Sequence, residues 1–215
     1  MISLPKFGSL ARMDKSIVDI RCSTWATLFI FTSALLLGIA FITPYWLQSE
    51  TLPSNQRFQK LGLFEVCFTR FHDHHYRYDR IIEGCKWIFD EDLSFLYDFL
   101  EQPFFISTQV LYTAGFLLLV LVCAGIVAVQ QCFIIEREDY ALRALSVASL
   151  LSAISCTSAV TIFAIYADRD DWMPDPEHNY LSWSFAAALI GSVLLWVSAL
   201  LFYIEMRLTI VRDSV

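Results

Sequence analysis

The sequence predicts a membrane-embedded all-α bundle of four helices, carrying a small extracellular antiparallel β-sheet and a short extracellular helix. Three observations predict it. The chain of 215 residues is 57% hydrophobic and only 17% charged, more apolar than the interior of a soluble globule accommodates. Four apolar runs are long enough to cross a bilayer, because about 20 residues at roughly 1.5 Å each cover a ~30 Å hydrocarbon core. The long segment between the first two runs alternates apolar and polar residues around two cysteines.

Taken in order, an arm over residues 1–23 leads into a first span from Thr24 to Tyr45 that holds no charged residue. This run is longer than the apolar core of a signal peptide and ends at "TPYW" without a small-residue cleavage site, so it reads as a retained helix. A long loop (46–103) precedes the second span, Phe104 to Gln131. A short loop (132–141) leads to the third, Leu142 to Tyr166, and a second loop (167–181) to the fourth, Ser182 to Met206, with 207–215 as a tail. In the third span Ala148, Ser152, Ser155 and Ala159 are small enough to let helices approach closely.

With four spans both termini share a side. Lys6, Arg12, Lys15 and Arg21 precede the first span, Arg137 and Arg143 flank the short loop, and Arg207 and Arg212 follow the last span. Basic residues near span ends favour the cytoplasm, which places both termini inside and the two longer loops outside. The long loop has ten acids against six bases and the second loop five against one, so each carries about −4 of the formal net charge of −7. The outer face is therefore acidic.

Within the long loop, "LGLFEVCFTRF" alternates Phe64, Val66 and Phe68 with Leu63, Glu65 and Cys67, the period of a half-buried strand, and "GCKWIF" reads as its partner. "DEDLSFLYDFLEQP" puts Leu93, Leu96, Tyr97 and Leu100 at helical spacing, starts with acids and stops at Pro103, which predicts a short amphipathic helix. Cys67 and Cys85 are the only cysteines in the outer loops. In an oxidising compartment they should pair, closing a loop of seventeen intervening residues that is worth about 3 kcal/mol in the chain-entropy model.

The competing reading takes His72, His74 and His75 with one of these cysteines as zinc ligands. "HDHH" has neither the C-x2-C nor the H-x3-H spacing of zinc sites, and an extended segment sends His74 and His75 to opposite faces. No metal is expected, and the histidines read as a solvated hairpin tip. Cys123 and Cys156 lie inside spans as packing residues, whereas Cys132 and Cys22 sit at cytoplasmic edges suited to S-palmitoylation. The C-terminal Asp213, Ser214 and Val215 resemble a PDZ ligand, an extended terminus whose carboxylate is captured at a sheet edge. Neither Asn55 nor Asn179 begins a glycosylation sequon.

Trp46 just beyond the first span, Gly62-Leu63-Phe64, Cys67 and Cys85 together resemble the W…GLW…C…C signature of the claudins. Their tetraspan superfamily also holds peripheral myelin protein, epithelial membrane proteins and calcium-channel gamma subunits. Phe64 stands where the pattern usually has Trp, and the cysteines are farther apart than in typical vertebrate claudins. "PFFISTQVLYTAGFLLLV" looks more like the invertebrate claudin-like proteins of septate junctions.

The resemblance implies a non-enzymatic junction protein at lateral cell contacts. Its outer sheet would meet copies in the same and the apposed membrane, and other claudin-like or junction proteins, to seal or selectively open the space between cells. It also implies that Trp46 and the GLF segment anchor the sheet at the outer leaflet. In a passage lined by the loops, Asp73, Asp79, Glu83, Asp168, Asp170 and Asp171 would attract cations. The alternative on the same fold is an auxiliary subunit of a channel or receptor in its own membrane. The spans carry no paired carboxylates, Ser-His-Asp set or phosphate loop, so no enzyme, cofactor or nucleic-acid partner is expected, and the bilayer is the first partner.

Overall fold

The computed structural model describes residues 7–50, 57–71, 82–91, 93, 100–130, 138–167, 172–173 and 178–213. Four long helices, α1 (Phe7–Ile42), α2 (Pro103–Gln130), α3 (Glu138–Tyr166) and α4 (Trp183–Asp213), form a ring in which α1 packs on α4 and α2, and α3 on α2 and α4. Each contains a stretch long and apolar enough to cross a membrane: Thr24–Ile42, Pro103–Val129, Tyr140–Tyr166 and Trp183–Leu208. The protein is a multi-pass membrane protein with the four-helix architecture read from its sequence.

Boundaries differ where local chemistry decides them. α1 ends at Ile42 rather than at Tyr45, because Pro44 lacks an N–H and disfavours helix in the residue before it. At its other end the helix reaches back to Phe7, into the arm expected before the span, and α4 runs on to Asp213, past Met206. α2 starts at Pro103, whose missing N–H is harmless in a first turn; the Phe105 amide closes onto the Gln102 carbonyl at 2.9 Å.

Lipid tails are as apolar as leucine, so burial of apolar surface drives these helices together only weakly. Leu35, Val110, Ile165 and Leu200 accordingly face outward, while serines face in. Ser33 donates to the Gly191 carbonyl (2.7 Å) and Ser198 to Ala26 (3.0 Å) across α1 and α4. Ser152 donates to Gly115 (2.7 Å) and Ser155 to Leu111 (2.8 Å) across α3 and α2. Such bonds average about 0.6 kcal/mol each within membranes, and they require backbones to lie close.

One end of the bundle carries five strands: β1 (Leu47–Ser49), β2 (Arg57–Leu61), β3 (Glu65–Phe71), β4 (Ile82–Trp87) and β5 (Asn179–Leu181). They form one antiparallel sheet in the order β4-β3-β2-β1-β5. Cys67 stands directly opposite Cys85, and Phe58 opposite Phe68. The expected pair, β3 with β4, is present; β1, β2 and β5 enlarge it and draw the second loop into the same sheet.

Val66 and Phe68 are buried as the alternation requires, but Leu63 and Cys67 on the other side of the strand are buried too. Register shifts follow Phe58 in β2 and Phe68 in β3, the mark of bulges that bend a sheet. Gly84 has φ +90°, a left-handed conformation that glycine adopts without a steric penalty. Of the expected short helix, Leu93 and Leu100 are buried; Leu96 and Tyr97 lie outside the described residues.

The α2–α3 contact tests this packing. A Cβ on Gly115 would come 2.6 Å from Cys156 Sγ and 3.0 Å from its amide nitrogen, whereas one on Gly38 would meet only Phe116 at 3.4 Å. Gly115→Ala is expected to cost about 1–3 kcal/mol and Gly38→Ala almost nothing, measured by unfolding in detergent micelles. Equal effects would mean that α2 and α3 are free to move apart.

Candidate interaction surface

Trp46 builds the junction between bundle and sheet. Because Pro44 has no N–H, the Ala40 carbonyl four residues earlier has no helical donor. Trp46 Nε1 donates to that carbonyl at 2.7 Å, with the Ser184 hydroxyl 3.5 Å away. The indole is 0% exposed and meets Tyr112 of α2, Phe163 of α3 and Phe185 of α4 edge-on at 5.2, 5.0 and 5.8 Å. Trp46, expected to anchor the sheet at the outer leaflet, thus lies in the protein interior, where it is the nearer of two donors to the Ala40 carbonyl.

The Trp46 backbone continues β1. Its amide donates to the Leu61 carbonyl at 2.9 Å, and its carbonyl accepts from the Ser182 amide at 3.0 Å. Gly62 follows, and here only glycine fits: a Cβ would lie 2.7 Å from Pro44 Cα and 2.9 Å from the Thr43 oxygen. The Gln109 side-chain amide donates to the Leu63 carbonyl at 2.5 Å and Tyr112 Oη to the Leu37 carbonyl at 3.0 Å. Beside this cluster Lys60 Nζ donates to Tyr45 Oη at 2.9 Å, and the Tyr45 ring lies 5.3 Å from Trp183.

Phe64 occupies the half-buried rim. It stacks on Trp87 (5.8 Å, 20°) and touches Phe41 (5.2 Å) and Phe89 (6.4 Å). Trp87 is 58% exposed, so the rim presents an aromatic surface where sheet and α2 meet.

Cys67 and Cys85 form the expected disulfide between β3 and β4, with Cα atoms 3.9 Å apart. The Glu65 carboxylate lies within 4.8 Å of their sulfurs, but sulfurs joined to each other hold no metal, so this group offers a single carboxylate donor. Among the cation-attracting candidates, Glu83 is exposed on β4. Asp73, Asp79, Asp168, Asp170 and Asp171 lie outside the described residues, as do His72, His74, His75, Cys132, Ser214 and Val215. Cys22 falls within α1 and Asp213 ends α4.

Two residues absent from the sequence reading complete the anchor. Tyr112 looks like any aromatic of an apolar span until its hydroxyl is placed. Trp172, 2% exposed, packs on Phe104 (4.8 Å), Phe105 (5.7 Å) and Phe163 (5.9 Å) and pins the second loop to α2 and α3. A Trp-Met pair within an otherwise acidic segment was the signal for it.

A family model described as "PMP-22/EMP/MP20/Claudin tight junction" matches residues 31–204. No curated protein matches the chain.

Trp46→Phe keeps a ring and removes the donor, and should cost about 1–3 kcal/mol for an unsatisfied buried carbonyl. Trp46→Ala also empties the ring's site and should cost about 3–5 kcal/mol. Limited proteolysis should then cut within 46–103 while the helical circular dichroism persists. Separately, the Cys67→Ser, Cys85→Ser double variant should show the same clipping pattern, and wild-type protein should acquire it on reduction.

Proposed function

The chain belongs to the PMP-22/EMP/MP20/claudin family, and on that premise we propose that it assembles through its sheet into a barrier at cell-cell contacts, of the septate or tight junction type. The role is structural rather than enzymatic. The observation that carries this reading is the disulfide-joined sheet held rigidly above the bundle by Trp46. A surface that must meet other molecules keeps its shape when it is built on fixed elements rather than on loops.

The positive-inside asymmetry turns the sheet toward the extracellular space, and a disulfide belongs in that oxidising compartment. β4 lies at the edge of the sheet with Glu83, Gly84 and Cys85 exposed. Among the described residues no strand covers the outer side of β4, and such an edge is a template for pairing with another chain, in the same or the apposed membrane. On the cytoplasmic side, Cys22 and Cys132 would take acyl chains and Asp213, Ser214 and Val215 a PDZ scaffold.

The acids of the two outer loops give the sealed space its selectivity. With each loop near −4, carboxylates facing a narrow passage attract cations and repel anions. Neutralising Glu83, Asp168, Asp170 and Asp171 together should leave the barrier standing and move cation preference toward unity in dilution-potential measurements on an epithelial layer. Unchanged preference rejects the selectivity. Absence of the protein from lateral contacts, with copurification of a channel, rejects the junction in favour of an auxiliary subunit.

A further inference from the structure

We propose that the groove between α2 and the aromatic rim of the sheet binds one acyl chain of phosphatidylethanolamine, with the lipid's ammonium at the Glu101 carboxylate. This inference goes beyond the junctional role and does not depend on it.

The groove has a volume of about 510 Å³, within the usual range of small-molecule sites. Its floor is a single stripe of α2, Ile106, Val110, Ala114 and Leu117, at the spacing that keeps side chains on one helix face. These residues lie inside the membrane-crossing stretch Pro103–Val129, so hydrocarbon, not water, is the solvent that reaches them. From Ile106 to Leu117 is about 16 Å along the helix, roughly half of a ~30 Å hydrocarbon core. The groove therefore has the depth of one leaflet.

Its shape separates it from an ordinary lipid-facing helix, which is convex. Phe64, Ile88, Phe89 and Leu100 stand up from the sheet side as a wall. That wall is stiff, because the Phe64, Trp87 and Phe89 rings pack on one another at 5.8 to 6.4 Å and Gln109 ties α2 to the strand segment at Leu63. A chain lying here touches protein on two sides and gains dispersion contacts that it lacks against a free helix face.

The head group follows from charge. Among the described residues Glu101 is the one ionisable side chain lining the groove, and it is exposed just ahead of α2. A carboxylate there repels anionic head groups and attracts cationic ones. A primary ammonium also donates hydrogen bonds to it, a charge-assisted pairing that a quaternary choline cannot make. A sterol offers no cation at all.

The full chain in phosphatidylcholine vesicles, doped with phosphatidylethanolamine bearing a photoactivatable chain, tests this. Adducts should concentrate on the peptide spanning residues 106–117 and fall several-fold in Ala114→Trp, which fills the groove. Ile190→Trp, on an α4 surface 53% exposed, should leave them unchanged. Glu101→Lys should shift labelling toward phosphatidylglycerol carrying the same photogroup. Because Glu101 is exposed, that variant tests the head-group assignment even where Ala114→Trp fails to fold. Adducts spread evenly over all four helices, preferential labelling of the groove by a photoactivatable sterol, or a head-group preference unmoved by Glu101→Lys would each overturn the proposal.

Discussion

The bond from Trp46 Nε1 to the Ala40 carbonyl is the constraint on which the rest of the structure depends. Proline ends the first span and leaves a carbonyl without a helical donor inside the bundle, and an unpaired peptide group in an apolar setting costs several kcal/mol. The indole satisfies it only by turning inward, and once inside it fills the space between α2, α3 and α4. Its own backbone meanwhile joins β1 to β2 and to the start of α4. A single residue is therefore cap of the first helix, core residue and lead-in to the first strand, which leaves the sheet little freedom to rock on the bundle.

Below that point the bundle obeys membrane rules. Large apolar side chains such as Leu35, Val110, Ile165 and Leu200 point outward, where they lose nothing, and the hydroxyls of Ser33, Ser152, Ser155 and Ser198 point inward to carbonyls of neighbouring helices. Small residues and hydroxyls act together: Gly115 lets α3 approach so closely that a methyl group would strike Cys156, and Ser152 uses that proximity to reach the Gly115 carbonyl. Above it the sheet obeys aqueous rules, with Phe58, Val66 and Phe68 buried and Glu83 exposed.

Between the two regimes lies the aromatic rim. Phe64 stacks on Trp87 there. A groove lies on either side of its ring, one against α2 and a smaller one of about 260 Å³ beside Phe41 and Thr43. A bilayer component bound at this rim would touch the residues that set the sheet's position.

The amino-acid sequence by itself determined the number of spans, because a run of about twenty apolar residues has one favourable solvent. The β3–β4 pairing and the Cys67–Cys85 bond were also legible, since alternation around the two cysteines is a local signal. β1 and β5, three residues each, show no periodicity and exist only because Trp46 and Ser182 bring them edge to edge. Only the tertiary structure decided that Trp46 is interior, that Tyr112 and Trp172 complete its surroundings, and that Ile106, Val110, Ala114 and Leu117 floor a groove rather than a plain helix face. Composition marks each of these side chains as apolar or aromatic, but whether such a residue meets lipid, water or another helix depends on which distant segment arrives beside it.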